Sequence, residues 1–340
     1  MKPFLTVVMP VRNEARFIGD TLAQLISQEY PEDRYEILVA DGMSDDGTRD
    51  IVRMFGTKHP QVRLLDNPKR LSGAGRNVGF QAGKGDYFLV VDGHCSIPDH
   101  QLFRNVAHCF ERSRADCLGR PQPLDPPQLT EFQRAVALAR GSKLGHGGDS
   151  LIYGDFEGYA SPVSNGAAYR REVFERIGYV DESFDAAEDV EFNYRAEEAG
   201  LTCYTSPALM VRYYPRESLA GLLRQVVRYG GGRFRFLRKH PRAVTLNQLV
   251  PAAFVAGLFL LLLTALVSPA YPAGISFFGA LYGVYVLLVA AESVRLAAVN
   301  GVRYLRYLPL ILFAVHFGFG YGFLKEAAGT LAGRNAAAGL

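Results

Sequence analysis

The sequence predicts an α/β fold, a doubly wound and mostly parallel sheet, followed by C-terminal transmembrane helices. Three observations carry this. Short apolar strands alternate with amphipathic helical stretches through the front of the chain. Tyr87-Phe88-Leu89-Val90-Val91 is apolar on both faces, which suits a central parallel strand covered from both sides. Ala243 to Ala291 is a run of 49 residues without a charge, long enough for two membrane crossings at ~20 residues each.

The elements follow in order. Phe4–Pro10 is the first strand, and Asn13 is placed to cap a helix of roughly fifteen residues with Phe17, Ile18, Leu22, Leu25 and Ile26 on its apolar face. Tyr35–Ala40 is the second strand and ends in Asp41; the polar loop after it leads into a helix over 48–58. Val62–Leu65 makes a third strand, and the glycine-rich stretch from Gly73 to Gly79 opens the helix before the central strand. Residues 99–114 form an amphipathic helix, and Asp116–Gly119 a short strand. Four prolines make 120–127 an extended connector, after which Leu129, Phe132, Val136 and Ala139 recur at helical spacing. Gly141–Gly166, rich in glycine and serine, reads as a long mobile loop. Glu188 and Asp189 open a helix that ends near Gly200.

Residues 216–242 carry eight basic side chains against one acid, Glu217. Such a cluster invites a nucleic-acid reading. The uncharged run that follows argues instead for lipid headgroups, with spans at about 247–267 and 273–291, broken near Ser268–Pro272, and a third at 307–324. Basic residues before the first span and after the second (Arg295, Arg303, Arg306) place both flanks in the cytosol. The expected organisation is a cytosolic α/β domain over 1–215, a basic interfacial helix over 216–242 and a membrane domain over 243–340. The four cysteines show no metal or disulfide spacing and read as reduced thiols.

Two acids sit at strand ends, Asp41 and Asp92, where open α/β sheets bind ligands. Asp41 is suited to accept from a base or ribose donor. Asp92-Gly93-His94 offers a carboxylate and an imidazole to a divalent cation on a diphosphate. The glycines of 73–79 miss the G-x-G-x-x-G spacing and do not follow the first strand, so they make a weak nicotinamide or flavin fingerprint and read equally as a helix start packed tightly against the sheet. Glu188, Asp189 and Glu191 put three acids in four residues, more than a helix cap needs, and one is suited to act as a general base.

Taken together, these motifs resemble the inverting, GT-A-fold members of glycosyltransferase family 2 over about residues 4–240. Pro10-Val11-Arg12-Asn13-Glu14 is similar to the family's first-strand motif and Asp41–Thr48 to its acidic nucleotide loop. Gly75-Arg76-Asn77 precedes the metal motif, here Asp92-Gly93-His94 in place of Asp-x-Asp. Glu188-Asp189 matches the family's Glu-Asp pair, and Gln225-Val226-Val227-Arg228-Tyr229 resembles Gln-x-x-Arg-Trp with tyrosine for tryptophan.

The resemblance implies Asp189 as base beside Glu188, with Asp92 and His94 holding Mn2+ or Mg2+. Imidazole suits manganese better. It further implies nucleotide-sugar contacts from Pro10, Arg12, Glu14, Asp41, Arg76, Asp92, Gln225, Arg228 and Tyr229. The activity implied is transfer from a UDP-sugar to a hydroxyl of a lipid-linked or glycan acceptor at the cytosolic face of the cell membrane, in surface-glycan synthesis. Two alternatives stay open: a polyprenyl-phosphate sugar transferase, and a non-catalytic membrane protein that senses a nucleotide sugar.

Overall fold

The computed structural model describes residues 2–146, 150–267 and 272–333. The chain forms two compact units, one from Met1–Pro127 with Ser150–Tyr214, the other from Gln128–Asp149 with Pro215–Leu340.

In the first unit, β1 (Leu5–Val11), α1 (Ile18–Ile26), β2 (Tyr35–Asp41), α2 (Thr48–Lys58), β3 (Val62–Asp66), α3 (Ser72–Ala82) and β4 (Tyr87–Val90) alternate as expected. Then come β5 (Cys95–Ser96), α4 (Leu102–Ser113) and β6 (Cys117–Gly119). The helices α5 (Glu131–Arg140) and α6 (Lys143–His146) belong to the second unit. The first unit resumes with β7 (Gly158–Ala160), α7 (Pro162–Asn165), β8 (Gly166–Arg170), α8 (Arg171–Ile177), α9 (Glu188–Glu198), β9 (Cys203–Thr205) and β10 (Arg212–Tyr213). Eight strands make one sheet in the order β3-β2-β1-β4-β8-β6-β9-β7, while β5 and β10 pair antiparallel. Its first half is parallel throughout, and β8 runs antiparallel to both β4 and β6. Every residue of β2 and β4 is buried, as strands covered on both faces require.

Two expectations are corrected here. Asn13 does not cap α1. It sits at a positive φ of 55°, and its Oδ1 accepts from the Asp45 amide, 3.2 Å away, so the chain spends residues 12–17 on a loop and α1 has nine residues. Asparagine tolerates the left-handed region, and its side chain competes with helix initiation. Gly141–Gly166 is not a structureless loop either: α6, β7 and α7 all fall within it. Short elements carry too few periods for a pattern to show.

The second unit holds α5, α6, α10 (Leu219–Lys239), α11 (Leu246–Val267), α12 (Pro272–Asn300) and α13 (Leu308–Leu331). The stretches Gln248–Ala265, Phe278–Asn300 and Leu308–Leu331 are long and apolar enough to cross a bilayer. The break expected at Ser268–Tyr271 lies outside the described residues. Within this unit α5 is tied down by polar contacts. Gln133 Nε2 donates to the Pro215 carbonyl at 2.9 Å, and Glu131 pairs with Arg306.

A third correction concerns Gly230-Gly231-Gly232. Glycine is costly inside a helix, so a stop or a bend is expected there. The helix does not stop there: α10 runs through all three, and all three are buried. A Cβ at position 230 would stand 2.0 Å from the Phe319 carbonyl oxygen of α13, so the two helix backbones touch where side chains would normally separate them. The approach is mutual. A Cβ at Gly322 would stand 2.0 Å from the Val227 oxygen, and one at Gly318 2.4 Å from the Val226 side chain. Gly320, on the other side of α13, makes the same kind of approach to Pro251 of α11. For α11 and α13, both apolar enough to span, such close packing of small residues is the usual way that helices in lipid associate.

Candidate active site

The strand ends of the first unit build the site. Asp41 closes β2 and is 0% exposed. Its Oδ2 accepts from the Ser44 amide at 2.9 Å and from Arg49 Nη1 at 2.7 Å, and Arg49 also reaches Asp66 at 2.6 Å. Its Oδ1 is buried without a donor, as is Oδ1 of Asn67, whose amide nitrogen is committed to the Leu71 carbonyl. A buried acceptor left unpaired costs ~1–3 kcal/mol, so this spot is prepared for a ligand that brings N–H or O–H groups. Pro10 lies half-buried nearby: a Cβ at Gly75 would stand 3.1 Å from the proline's Cβ and 3.0 Å from Asn67 Nδ2. Arg12 is exposed and lays its stem over Gly42, where a Cβ would come within 3.2 Å of it.

Asp92 and His94 follow β4, both half-buried. His94 Nδ1 lies 2.8 Å from Glu14 Oε1, a contact across 80 residues of sequence. Asp92 and His94 supply a carboxylate and an imidazole. Among the described residues, no group of three or more His, Cys, Asp or Glu side chains gathers as a metal cage. Such a pair fits a divalent cation that takes its remaining ligands from phosphate oxygens and water.

Beside Asp92 stands a cluster that sequence reasoning missed. Arg120 is 2% exposed; its Nη2 donates to the Tyr213 hydroxyl at 2.8 Å, while Nε and Nη1 have no partner. Burial pushes the Tyr213 hydroxyl well above its usual pKa, with Arg120 opposing and Asp92 reinforcing. Burial likewise raises the Cys95 thiol, again with Asp92 reinforcing and Arg120 opposing. Arg120 is thus a buried guanidinium beside a phenol and a thiol that burial disfavours from ionising. The signal was available: Arg120 directly follows the short apolar strand β6, the same strand-end position that singles out Asp41 and Asp92.

The acids of α9 divide their work. Ala187, at the helix start, has a φ of 64° and no side chain to cap with, so the first turn is served by Glu188, Asp189 and Glu191. Glu188 lies 3.6 Å from Arg76 Nη2, and both are largely buried. Glu191, 0% exposed, grips Arg195 Nε with both oxygens at 3.0 and 3.1 Å. Asp189 forms no ion pair among the described residues. Its Oδ1 accepts from the Val190 amide at 2.9 Å, and it remains half-buried. Burial alone would depress the Arg76 guanidinium's pKa, but Glu188, Asp189 and Asp92 outweigh it and hold Arg76 charged. So Arg76, Glu188, Asp189 and Asp92 share one electrostatic neighbourhood, although they come from three separate stretches of chain.

Gln225, Arg228 and Tyr229 belong to the second unit. They lie on α10, with Gln225 and Tyr229 half-buried and Arg228 exposed.

The chain matches the family described as glycosyl transferase family 2 over residues 6–178, and glycosyl transferase family group 2 over 96–324. It is 34% identical over 249 residues to the succinoglycan biosynthesis protein ExoA of Rhizobium meliloti (strain 1021), covering 73% of this chain and 74% of that one. It is 25% identical over 330 residues to the dolichyl N-acetyl-alpha-D-glucosaminyl phosphate 3-beta-D-2,3-diacetamido-2,3-dideoxy-beta-D-glucuronosyltransferase of Methanococcus voltae, covering 95% of this chain and 96% of that one. Among solved structures it is similar to the mannosyltransferase PcManGT of Pyrobaculum calidifontis, in complex with GDP-Man and Mn2+. The TM-score is 0.58 at 19% identity, over 97% of this chain and 88% of that one. That likeness bears on the fold, and the strand order with two acidic strand ends agrees with it. A family match over half the chain and a relative at 34% identity together make the conclusion plain: this chain belongs to glycosyltransferase family 2 and is a sugar-transferring enzyme on a GT-A fold.

Proposed function

We propose that this enzyme is an inverting transferase that moves a sugar from a UDP-sugar to a hydroxyl of a lipid-linked or glycan acceptor, at the cytosolic face of the cell membrane, in surface-glycan synthesis. The observation that carries this reading is the division of labour on α9. Of three acids in one helical turn, two are held by arginines and Asp189 is not. Asp189 takes the acceptor's hydroxyl proton as its oxygen attacks the anomeric carbon from the face opposite the nucleotide. Glu188 holds Arg76, and the pair keeps the basic side chain where negative charge develops as the diphosphate departs. Asp41 Oδ1 receives an N–H of the base. Asp92 and His94 would hold a divalent cation, Mn2+ or Mg2+, which supplies charge neutralisation on the diphosphate. The Mn2+ of the Pyrobaculum complex supports a divalent ion, and the succinoglycan relative supports a polysaccharide product. The three apolar helices and the basic residues around them support a multi-pass protein whose catalytic unit is cytosolic.

The test is to supply detergent-solubilised full chain and native membranes with a panel of labelled nucleotide sugars, then extract lipid and polymer. Label should enter from a UDP-sugar. Transfer should stop in excess chelator and return with Mn2+ at least as well as with Mg2+. Full activity in chelator would overturn the cation's role, and no transfer from any nucleotide sugar would overturn the reaction.

Gln225, Arg228 and Tyr229 are proposed to serve the donor, on the strength of the motif they resemble. Arg228→Ala and Gln225→Ala should each lower turnover at least tenfold while Arg238→Ala, farther along α10, leaves it near wild type. Equal, mild effects at all three positions would reduce Arg228 to one member of a basic belt at the lipid surface, where each basic residue is worth ~1 kcal/mol.

A further inference from the structure

The turn after β4 carries a histidine where the resembled motif carries a carboxylate, and the structure supplies that histidine with a partner. His94 Nδ1 and Glu14 Oε1 are 2.8 Å apart, and their side chains are 25% and 19% exposed. A carboxylate oxygen facing a ring nitrogen at this distance accepts, which places a proton on Nδ1 and leaves Nε2 as the ring nitrogen turned away from Glu14. Glu14 itself is firmly placed. Its amide donates to Thr48 Oγ1 at 2.8 Å, the Asn13 amide to Ser44 Oγ at 2.8 Å, and the Ala15 amide to Asp46 Oδ2 at 3.0 Å. The loop after β1 is thus laced to the loop after β2. Gly93 suits the fit: a Cβ there would stand 3.0 Å from Glu14 Cγ, so the glutamate lies close along this turn. Phe17 and Tyr213 flank the imidazole, with ring centroids 6.4 and 6.2 Å away.

We propose that Glu14 is the positioning residue for His94: it selects the tautomer that presents an unprotonated Nε2 to a divalent cation and restores to the site the negative charge that histidine lacks. This differs from a direct contact between Glu14 and the nucleotide sugar. It rests on the reading of Asp92 and His94 as cation ligands. Carboxylate partners of metal-binding histidines typically change affinity ~10–100-fold when removed.

The experiment measures Mn2+ binding by electron paramagnetic resonance, on the detergent-solubilised full chain with saturating UDP. UDP affinity without metal and thermal unfolding are recorded alongside. Glu14→Gln, nearly the same shape, should weaken Mn2+ binding ~10–100-fold while metal-free UDP affinity and melting temperature stay at wild-type values. In a His94→Asp background the same Glu14→Gln change should cost much less Mn2+ affinity, because no imidazole remains to be oriented and the residue at 94 already brings a carboxylate. Equal losses in both backgrounds, or a loss of metal-free UDP affinity, would return Glu14 to direct substrate binding and overturn the proposal. If His94→Ala weakens Mn2+ binding and Glu14→Gln does not, the ligand stands and only the role of Glu14 falls. If His94→Ala binds Mn2+ as tightly as wild type, the ligand reading fails and takes the proposal with it.

Discussion

Asp189→Asn is expected to lower sugar transfer ~10²–10⁴-fold while nucleotide affinity stays at the wild-type level. Asparagine keeps the side chain's shape and can still accept from the Val190 amide, so the first turn of α9 should survive. What it loses is the ability to take a proton. The start of a helix favours a charged carboxylate by ~0.3–1 kcal/mol, and Asp189 sits in the first turn of α9. The neighbouring acids provide the contrast. Glu191→Gln breaks a two-pronged grip on Arg195, at a glutamate that is 0% exposed, and should show first as a lower melting temperature. Initial rates at saturating acceptor, together with nucleotide binding by calorimetry, decide the matter. Transfer by Asp189→Asn within tenfold of wild type would remove Asp189 from the chemistry.

Gly322→Leu is expected to have the largest effect on stability. The obstacle at that position is backbone: the Val227 carbonyl oxygen would lie 2.0 Å from the new Cβ and its carbon 2.8 Å away. Overpacking that flexible side chains can absorb costs ~1–3 kcal/mol. Neither α10 nor α13 can absorb this one without moving apart along the glycine contact. Separation would also open the contacts at Gly230 and Gly318, so the cost should exceed ~3 kcal/mol. Gly279→Leu on α12 is the control, since a Cβ there meets nothing within 4 Å. Size-exclusion profiles and thermal unfolding in detergent should show Gly322→Leu aggregated or melting far below wild type, with Gly279→Leu unchanged. Equal behaviour of the two would mean that the helix contact is dispensable.

The sequence by itself determined the alternation of strands and helices, the both-faces-apolar β4, the apolar spans and the placing of Asp41 and Asp92 at strand ends. Each is a local property, because side-chain period, run length and abrupt changes of polarity are written into neighbouring residues. The α9 start was legible for the same reason, since Glu188 and Asp189 stand where a helix favours acids. The tertiary structure alone decided which groups meet. The Glu191–Arg195 pair is a local i,i+4 contact, but nothing local says that Glu188 faces an arginine from α3, leaving Asp189 as the acid of the turn without an ion pair among the described residues. Nothing local assigns Glu14 to a histidine 80 residues away, or leaves Arg120 buried beside Tyr213. Asn13 and Gly230-Gly231-Gly232 misled for one reason: propensity describes a residue with only its chain neighbours. Asn13 instead took a left-handed loop position, and the glycines were needed where one helix backbone presses on another. Partners distant in sequence are brought together by the order of strands and the crossing of helices, and that order is a property of the whole fold.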